Sequence, residues 1–198
     1  NLPFELTAGQ KKVLQQIEPE EVLNFGISTL HPNDINYAAE KGYKIKLVPT
    51  IKRVNENEVS IFVLPKYVDS ANHLFSVDNE FNGAIVGGEF SGEQFLKGKG
   101  AGGHPTGAAV LSDISALSYG YKYEYKKQKQ SPDLKFTNNA LVKVYLRYNK
   151  EEDLKKFEFQ TISEQYTGGE YHYVIGTIDL KNLIKNKAYL IQNKLFVG

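Results

Sequence analysis

Between Lys97 and Asp113 the chain runs Lys-Gly-Lys-Gly-Ala-Gly-Gly-His-Pro-Thr-Gly-Ala-Ala-Val-Leu-Ser-Asp, and this stretch limits the possible folds more than any other. Gly98, Gly100, Gly102, Gly103 and Gly107 leave the backbone nearly bare. With no Cβ in the way, main chain can come within contact distance of a flat or charged object. Pro105 opens an apolar, small-residue helix, whose first N–H groups point back at the loop. The spacing Gly98-x-Gly100-x-x-Gly103 also satisfies the dinucleotide-binding formula. That formula belongs to a βαβ unit with an acid about 20 residues further on. Here the next acids are Asp113, inside the helix, and Glu124, in a Lys/Tyr-rich segment. Spacing alone therefore leaves two readings: a ligand-approaching loop, and a turn that lets a helix pack closely on a sheet.

At 198 residues the chain is long enough for one large domain or two small ones. A formal net charge of +1 provides no global field for nucleic acid or an anionic membrane. The basic residues are almost all Lys, with Arg53 and Arg147 the exceptions, and poverty in Arg argues further against base or phosphate readout. The run Lys126-Lys127-Gln128-Lys129 reads as a solvated linker rather than a nucleic-acid contact. No apolar run approaches the ~20 residues of a bilayer span. Without Cys there are no disulfides, thiolate metal sites or thiol nucleophiles, which suits a reducing, cytoplasmic setting. The start Asn1-Leu2-Pro3 and the lack of Met read as a fragment of a longer protein.

The periodicity predicts a helix over Thr7–Leu23. A second helix starts at Thr29-Leu30-His31-Pro32-Asn33-Asp34, with Ile35, Ala38 and Ala39 on its apolar face and Gly42 past its end. Tyr43–Val48 and Val59–Leu64 read as strands around the turn Asn55–Glu58. Asn82–Gly88 and Gly92–Lys97 read as paired strands leading into the glycine loop. Val110, Leu111, Ile114 and Leu117 form the apolar face of the helix over Pro105–Leu117. From Asn139 a new rhythm appears: strand 141–148, helix 151–157, strand 159–166, strand 171–178, helix 179–186 and strand 188–197. This βαββαβ order is the ferredoxin-like split unit. The expected organisation is α+β: a sheet with helices packed on one face over 1–118, a linker over 119–135, and a small ferredoxin-like domain over 136–198.

Reactive chemistry is sparse. His31, His73, His104 and His172 have no partners at metal-ligand spacing, so no metal is expected. His104 stands out because it sits in the glycine loop before a helix start, where an imidazole could touch a bound anion or ring. No Gly-x-Ser-x-Gly elbow is present, and no pair of carboxylates stands out as acid and base. Glu89 and Glu93 read as surface residues of a hairpin. A ligand-approaching loop without reactive side chains suits part of an active site that other polypeptide completes.

Three blocks carry a resemblance. Gly26 to Leu47 (Gly-Ile-Ser-Thr-Leu-His-Pro-Asn-Asp-Ile-Asn-Tyr-Ala-Ala-Glu-Lys-Gly-Tyr-Lys-Ile-Lys-Leu) resembles the segment of homoserine dehydrogenases that enters the core sheet of their substrate domain. Leu64-Pro65-Lys66-Tyr67-Val68 with His73 to Ala84 is similar to the next block of that family. Gly98-x-Gly100-Ala101-Gly102-x-x-Pro105-Thr106-x-Ala108-x-Val110-x-Ser112-Asp113 looks like the signature near the end of its catalytic region. The blocks stand in family order over about residues 25 to 118.

The resemblance implies an oxidoreductase that interconverts L-homoserine and L-aspartate 4-semialdehyde with NAD or NADP, on the route to threonine and methionine. It implies that Gly100, Ala101 and Gly102 approach the cofactor by backbone, and that the helix after Pro105 docks on the nucleotide domain. It further implies a homodimer and a tail that is a degenerate ACT domain, since the tail lacks the Asp-x-Pro-Gly turn after Tyr148. The nucleotide-binding half and the block with the family's catalytic residues are expected upstream of residue 1, so no catalytic residue is assigned. The alternative is a non-enzymatic module for dimerisation and amino-acid sensing.

Overall fold

The computed structural model describes residues 19–121, 134–169 and 171–198. Most of the helix expected over 7–23 and the basic run at 126–129 lie outside these residues. In chain order the elements are β1 (Leu23–Asn24), α1 (Pro32–Glu40), β2 (Lys44–Arg53), β3 (Glu58–Val68), β4 (Phe81–Gly88), β5 (Gly92–Lys99) and α2 (Gly103–Ser118). There follow β6 (Lys135–Phe136), β7 (Leu141–Tyr148), α3 (Glu151–Leu154), β8 (Phe159–Thr167), β9 (His172–Asp179), α4 (Leu180–Lys185), α5 (Lys187–Gln192) and β10 (Phe196–Val197). Short 3-10 turns stand at Pro19–Glu21 and His73–Ser76.

The chain divides into two compact units. The larger holds residues up to 41, then 45–67 and 132–198. It contains the sheet β1-β3-β2, with β6 on β3, and the sheet β10-β7-β9-β8. Pairs β10–β7, β7–β9 and β9–β8 are all antiparallel. The element order with this strand order is the ferredoxin-like arrangement expected of the tail. The strand expected over 188–197 is instead helix α5 over Lys187–Gln192 followed by the two-residue β10, because Leu190 buries at helical spacing from Leu183 and, of that stretch, only Phe196 and Val197 pair with β7. The expected boundary near residue 135 separates two patterns of secondary structure, yet one buried core runs across it. Leu23, Phe25, Tyr37, Phe62 and Leu64 cluster with Val144, Leu146, Tyr148, Val174, Ile178 and Phe196. Each such side chain contributes about 1.5–3 kcal/mol on full burial.

Helix α1 forms because its start is written into the sequence. The His31 imidazole accepts from the Asn33 N–H (3.3 Å), and the Asp34 carboxylate accepts from the His31 N–H (2.9 Å). That is a capping box followed by Pro in the first turn. Its buried stripe is Asp34, Tyr37 and Ala38, whereas Ile35 is 51% exposed and Ala39 also faces out. The expected Ile35/Ala38/Ala39 face is therefore rotated. A 3.6-residue period allows one buried stripe, and Tyr37 takes it with rings already waiting: Tyr145 at 4.8 Å, Tyr173 at 5.1 Å and Tyr67 at 5.5 Å between centroids.

Under that ring cluster lies an ion pair. Arg147 Nε donates to both Asp34 oxygens at 2.9 and 3.0 Å, and the Tyr145 hydroxyl donates to Asp34 Oδ1 at 3.1 Å. Burial pushes the Asp34 carboxyl above the ordinary range for the residue, and Arg147, the His31 N–H and the Tyr145 hydroxyl pull it part of the way back. Burial, with the Asp34 charge beside it, pushes the Tyr145 hydroxyl well above its usual range as well. At the far end of the tail, Lys194 adopts φ +53°. It closes α5 in a Schellman turn, with Leu195 N–H to Leu190 O at 2.9 Å and Lys194 N–H to Ile191 O at 3.2 Å.

The smaller unit holds residues 42–44 and 68–131. Strands β4 and β5 pair from Phe81–Lys99 to Gly88–Gly92 without a register shift, as the sequence predicted. Lys44 joins this unit by a hydrogen-bonded ion pair to Asp78 at 2.6 Å and by donation to Phe75 O at 3.1 Å.

Two outcomes test this account. Lys194→Gly removes the ~1–2 kcal/mol cost of a left-handed side chain, offset in part by backbone entropy, so thermal melting should hold or rise; a clear drop contradicts it. A carboxyl raised on folding contributes most below its unfolded pKa and loses that contribution as pH rises through its folded pKa. Measured by denaturant unfolding, the wild-type chain should therefore lose stability relative to Asp34→Asn as the pH rises above the ordinary carboxylate range. A constant difference contradicts the raised carboxyl.

Candidate functional site

The glycine loop is built by the hairpin before it and the helix after it. β5 carries Lys97 and Lys99 on one side, with Gly98 between them. Lys99 pairs with Glu80 at 3.1 Å, and the Gly100 N–H donates to Glu80 O at 2.9 Å. Its own backbone N–H and the Lys99 ammonium hold the Glu80 carboxyl below its ordinary range. The start of the loop is therefore tied to the turn that opens β4. From Gly100 to His104 every residue is exposed.

Gly102 is the residue of the loop whose replacement strains the backbone most. It is the N-cap of α2 at φ 115°, ψ 153°, a region open essentially to glycine alone. A Cβ there would meet only Pro105 Cδ at 3.4 Å, so the constraint is backbone conformation and not space. At Gly100 the constraint is contact, because a Cβ would run into the Asn82 amide, an exposed side chain free to swing. Ala101 sits between them at the crest of the turn. Gly102 O then takes both the N–H (3.2 Å) and the hydroxyl (2.9 Å) of Thr106. The helix geometry leaves the N–H groups of Gly103 and His104 without intrahelical acceptors, while Pro105 has none to offer.

Helix α2 continues from this turn with no buried residue. Val110, Leu111, Ile114 and Leu117 do lie along it as the sequence predicted, but each is between 54% and 73% exposed. Glu89 and Glu93 are exposed on the hairpin. The structure thus brings Gly100, Ala101, Gly102 and His104 together in one bare, solvent-facing turn.

The other histidines are placed elsewhere. His31 caps α1, His73 stacks on Phe95 at 5.2 Å, and His172 stacks on Tyr148 at 5.3 Å. Among the described residues no group of three or more His, Asp or Glu could hold a metal ion. Among the same residues no helix is long and apolar enough to cross a membrane. Sequence reasoning passed over the Asp34–Arg147 pair. The available signal was an Arg between Leu146 and Tyr148, in the apolar second half of a strand of a Lys-rich chain.

Comparison with known proteins bears on this turn. The family model for homoserine dehydrogenase matches residues 10–115, which include the whole loop and most of α2. A homoserine dehydrogenase of Helicobacter pylori is 39% identical over 99 residues, 50% of this chain and 23% of that protein. One of Bacillus subtilis is 28% identical over 151 residues, 71% of this chain and 34% of that protein. The crystal structure of S. aureus homoserine dehydrogenase at pH 6.5 aligns with 96% of this chain and 50% of its own, with 26% identity and a TM-score of 0.54. That of a homoserine dehydrogenase from Thiobacillus denitrificans aligns with 88% of this chain and 45% of its own, at 21% identity and a TM-score of 0.61, a likeness of fold. The chain thus spans about a quarter and about a third of the length of these two curated relatives.

Gly102→Ala should cost about 1–3 kcal/mol of the smaller unit's stability, from backbone strain alone. Gly100→Ala should cost less, because Asn82 can move aside. Denaturant unfolding followed by hydrogen exchange at β4 and β5 measures both, and a reversed order refutes the assignment. With the family match covering just over half of its residues, the chain belongs to the homoserine dehydrogenase family.

Proposed function

We propose that this chain is part of an oxidoreductase that converts L-homoserine and NAD(P)+ to L-aspartate 4-semialdehyde and NAD(P)H. The observation that carries the reading is the exposed turn at Gly100, Ala101 and Gly102. It lies inside the family-matched region, and Gly102 holds a conformation that only glycine takes up readily. A nicotinamide dinucleotide supplies the hydride acceptor when bound. The residues present suit its approach: bare backbone and two helix-start N–H groups from Gly103 and His104, in a turn exposed from Gly100 to His104.

This chain contributes shape and backbone donors rather than acid–base groups. The half or more of the relatives' length that it does not cover would supply the dinucleotide fold and the residues that move protons. The apolar face of α2 would then be covered by that nucleotide-binding half, in a cytoplasmic homodimer. The tail has the strand order of a ferredoxin-like domain and would serve as an ACT-like docking or dimerising element, with amino-acid sensing as the second reading.

The test compares the full-length gene product with this chain. The full-length protein should oxidise L-homoserine with NAD or NADP, and the 198-residue chain alone should show no turnover. In the full-length protein Gly102→Val should raise the cofactor KM by about tenfold or more, equivalent to ~1.4 kcal/mol. A full-length protein that binds neither nicotinamide cofactor refutes the proposal.

A further inference from the structure

Several segments remote in sequence converge on one carboxylate–guanidinium pair. Arg147, 5% exposed in β7, donates from Nε to both oxygens of Asp34. From Nη2 it donates to Thr29 O at 2.9 Å and to Lys194 O at 3.1 Å. Asp34 is 0% exposed and also accepts from the His31 N–H and the Tyr145 hydroxyl. The carboxylate that caps α1 is thus the one gripped by the tail's strand. Thr29 and Asp34 lie in the family-matched region, while Tyr145, Arg147 and Lys194 lie beyond it.

Two kinds of force hold α1 to the tail, and they do different work. The contacts among Tyr37, Tyr145 and Tyr173 are largely non-directional and would tolerate a rotated or shifted helix. A buried ion pair adds little net stability, because desolvation offsets much of its attraction; its better-attested use is to specify register. A planar guanidinium that satisfies Asp34, Thr29 and Lys194 at once can do so in one arrangement only.

We propose that Arg147 and Asp34 are positioning residues through which the tail sets the placement of α1 and of the loop Gly26–His31 leading into it. An event that shifts β7 or the Lys194 turn is transmitted to the family-matched part of the chain by this pair. The inference concerns this chain alone and does not depend on the proposed reaction.

Amide hydrogen exchange on the 198-residue chain tests it. In Arg147→Met the amides of Leu30 and of Tyr37 to Lys41 should be accelerated by at least about tenfold more than the amides paired between β7 and β9, whose acceleration reports the loss of global stability. Arg147→Lys keeps the charge but not the fork and should fall between. Equal acceleration throughout the larger unit, or no change in α1, overturns the proposal. Should Arg147→Met fail to fold, Asp34→Asn keeps the shape and one acceptor oxygen. The same local pattern in that variant supports the proposal, and uniform acceleration overturns it.

Discussion

The larger unit is organised around a carboxylate taken out of water. Asp34 is buried because the stripe of α1 that carries Tyr37 must face the aromatic cluster, and Asp34 lies one turn before Tyr37 on that stripe. A charge in that position is tolerable only with donors on every side, and three reach it in four contacts: Arg147 Nε on both oxygens, the His31 N–H and the Tyr145 hydroxyl. Arg147 in turn requires acceptors for Nη2, and it finds them in the Thr29 and Lys194 carbonyls. One electrostatic requirement therefore joins helix α1, the loop before it, strand β7 and the turn before β10.

The smaller unit follows another logic. Its hairpin is regular and its glycine turn is open, yet its helix has nothing buried. An apolar stripe left at the surface, next to a turn with bare backbone, is what a half-site looks like. The larger unit holds one cluster of buried side chains drawn from both sides of residue 135. The smaller unit presents its chemistry outward, as the proposed approach to a dinucleotide requires. Both glycines that matter there act through physical exclusion of a Cβ, one by backbone conformation and one by contact.

Local signals were legible in the residues. Pro32, His31 and Asp34 announce the start of α1, and Gly42 its end; the Asn55–Asn57 turn announces β2 and β3. The alternation on either side of Gly88–Gly92 announces the β4–β5 hairpin, and the glycines after Lys97 announce an exposed turn. The tail's βαββαβ rhythm was readable for the same reason: each element's period is set by nearest neighbours along the chain. Other features had no local signature. Nothing near Asp34 says that its partner stands 113 residues away, and nothing near Ile35 says that Tyr37 will win the buried face.

By itself, then, the sequence determined most of the elements, though not all their boundaries, the glycine-rich turn ahead of α2 and the likeness to a family whose signature blocks lie between residues 25 and 118. The tertiary structure alone decided which face of α1 turns inward, that the core runs across residue 135, and that the apolar face of α2 stays uncovered. The division has a physical cause. Caps, turns and periodicity are interactions over a few residues, whereas burial and ion pairing depend on what the rest of the chain brings alongside.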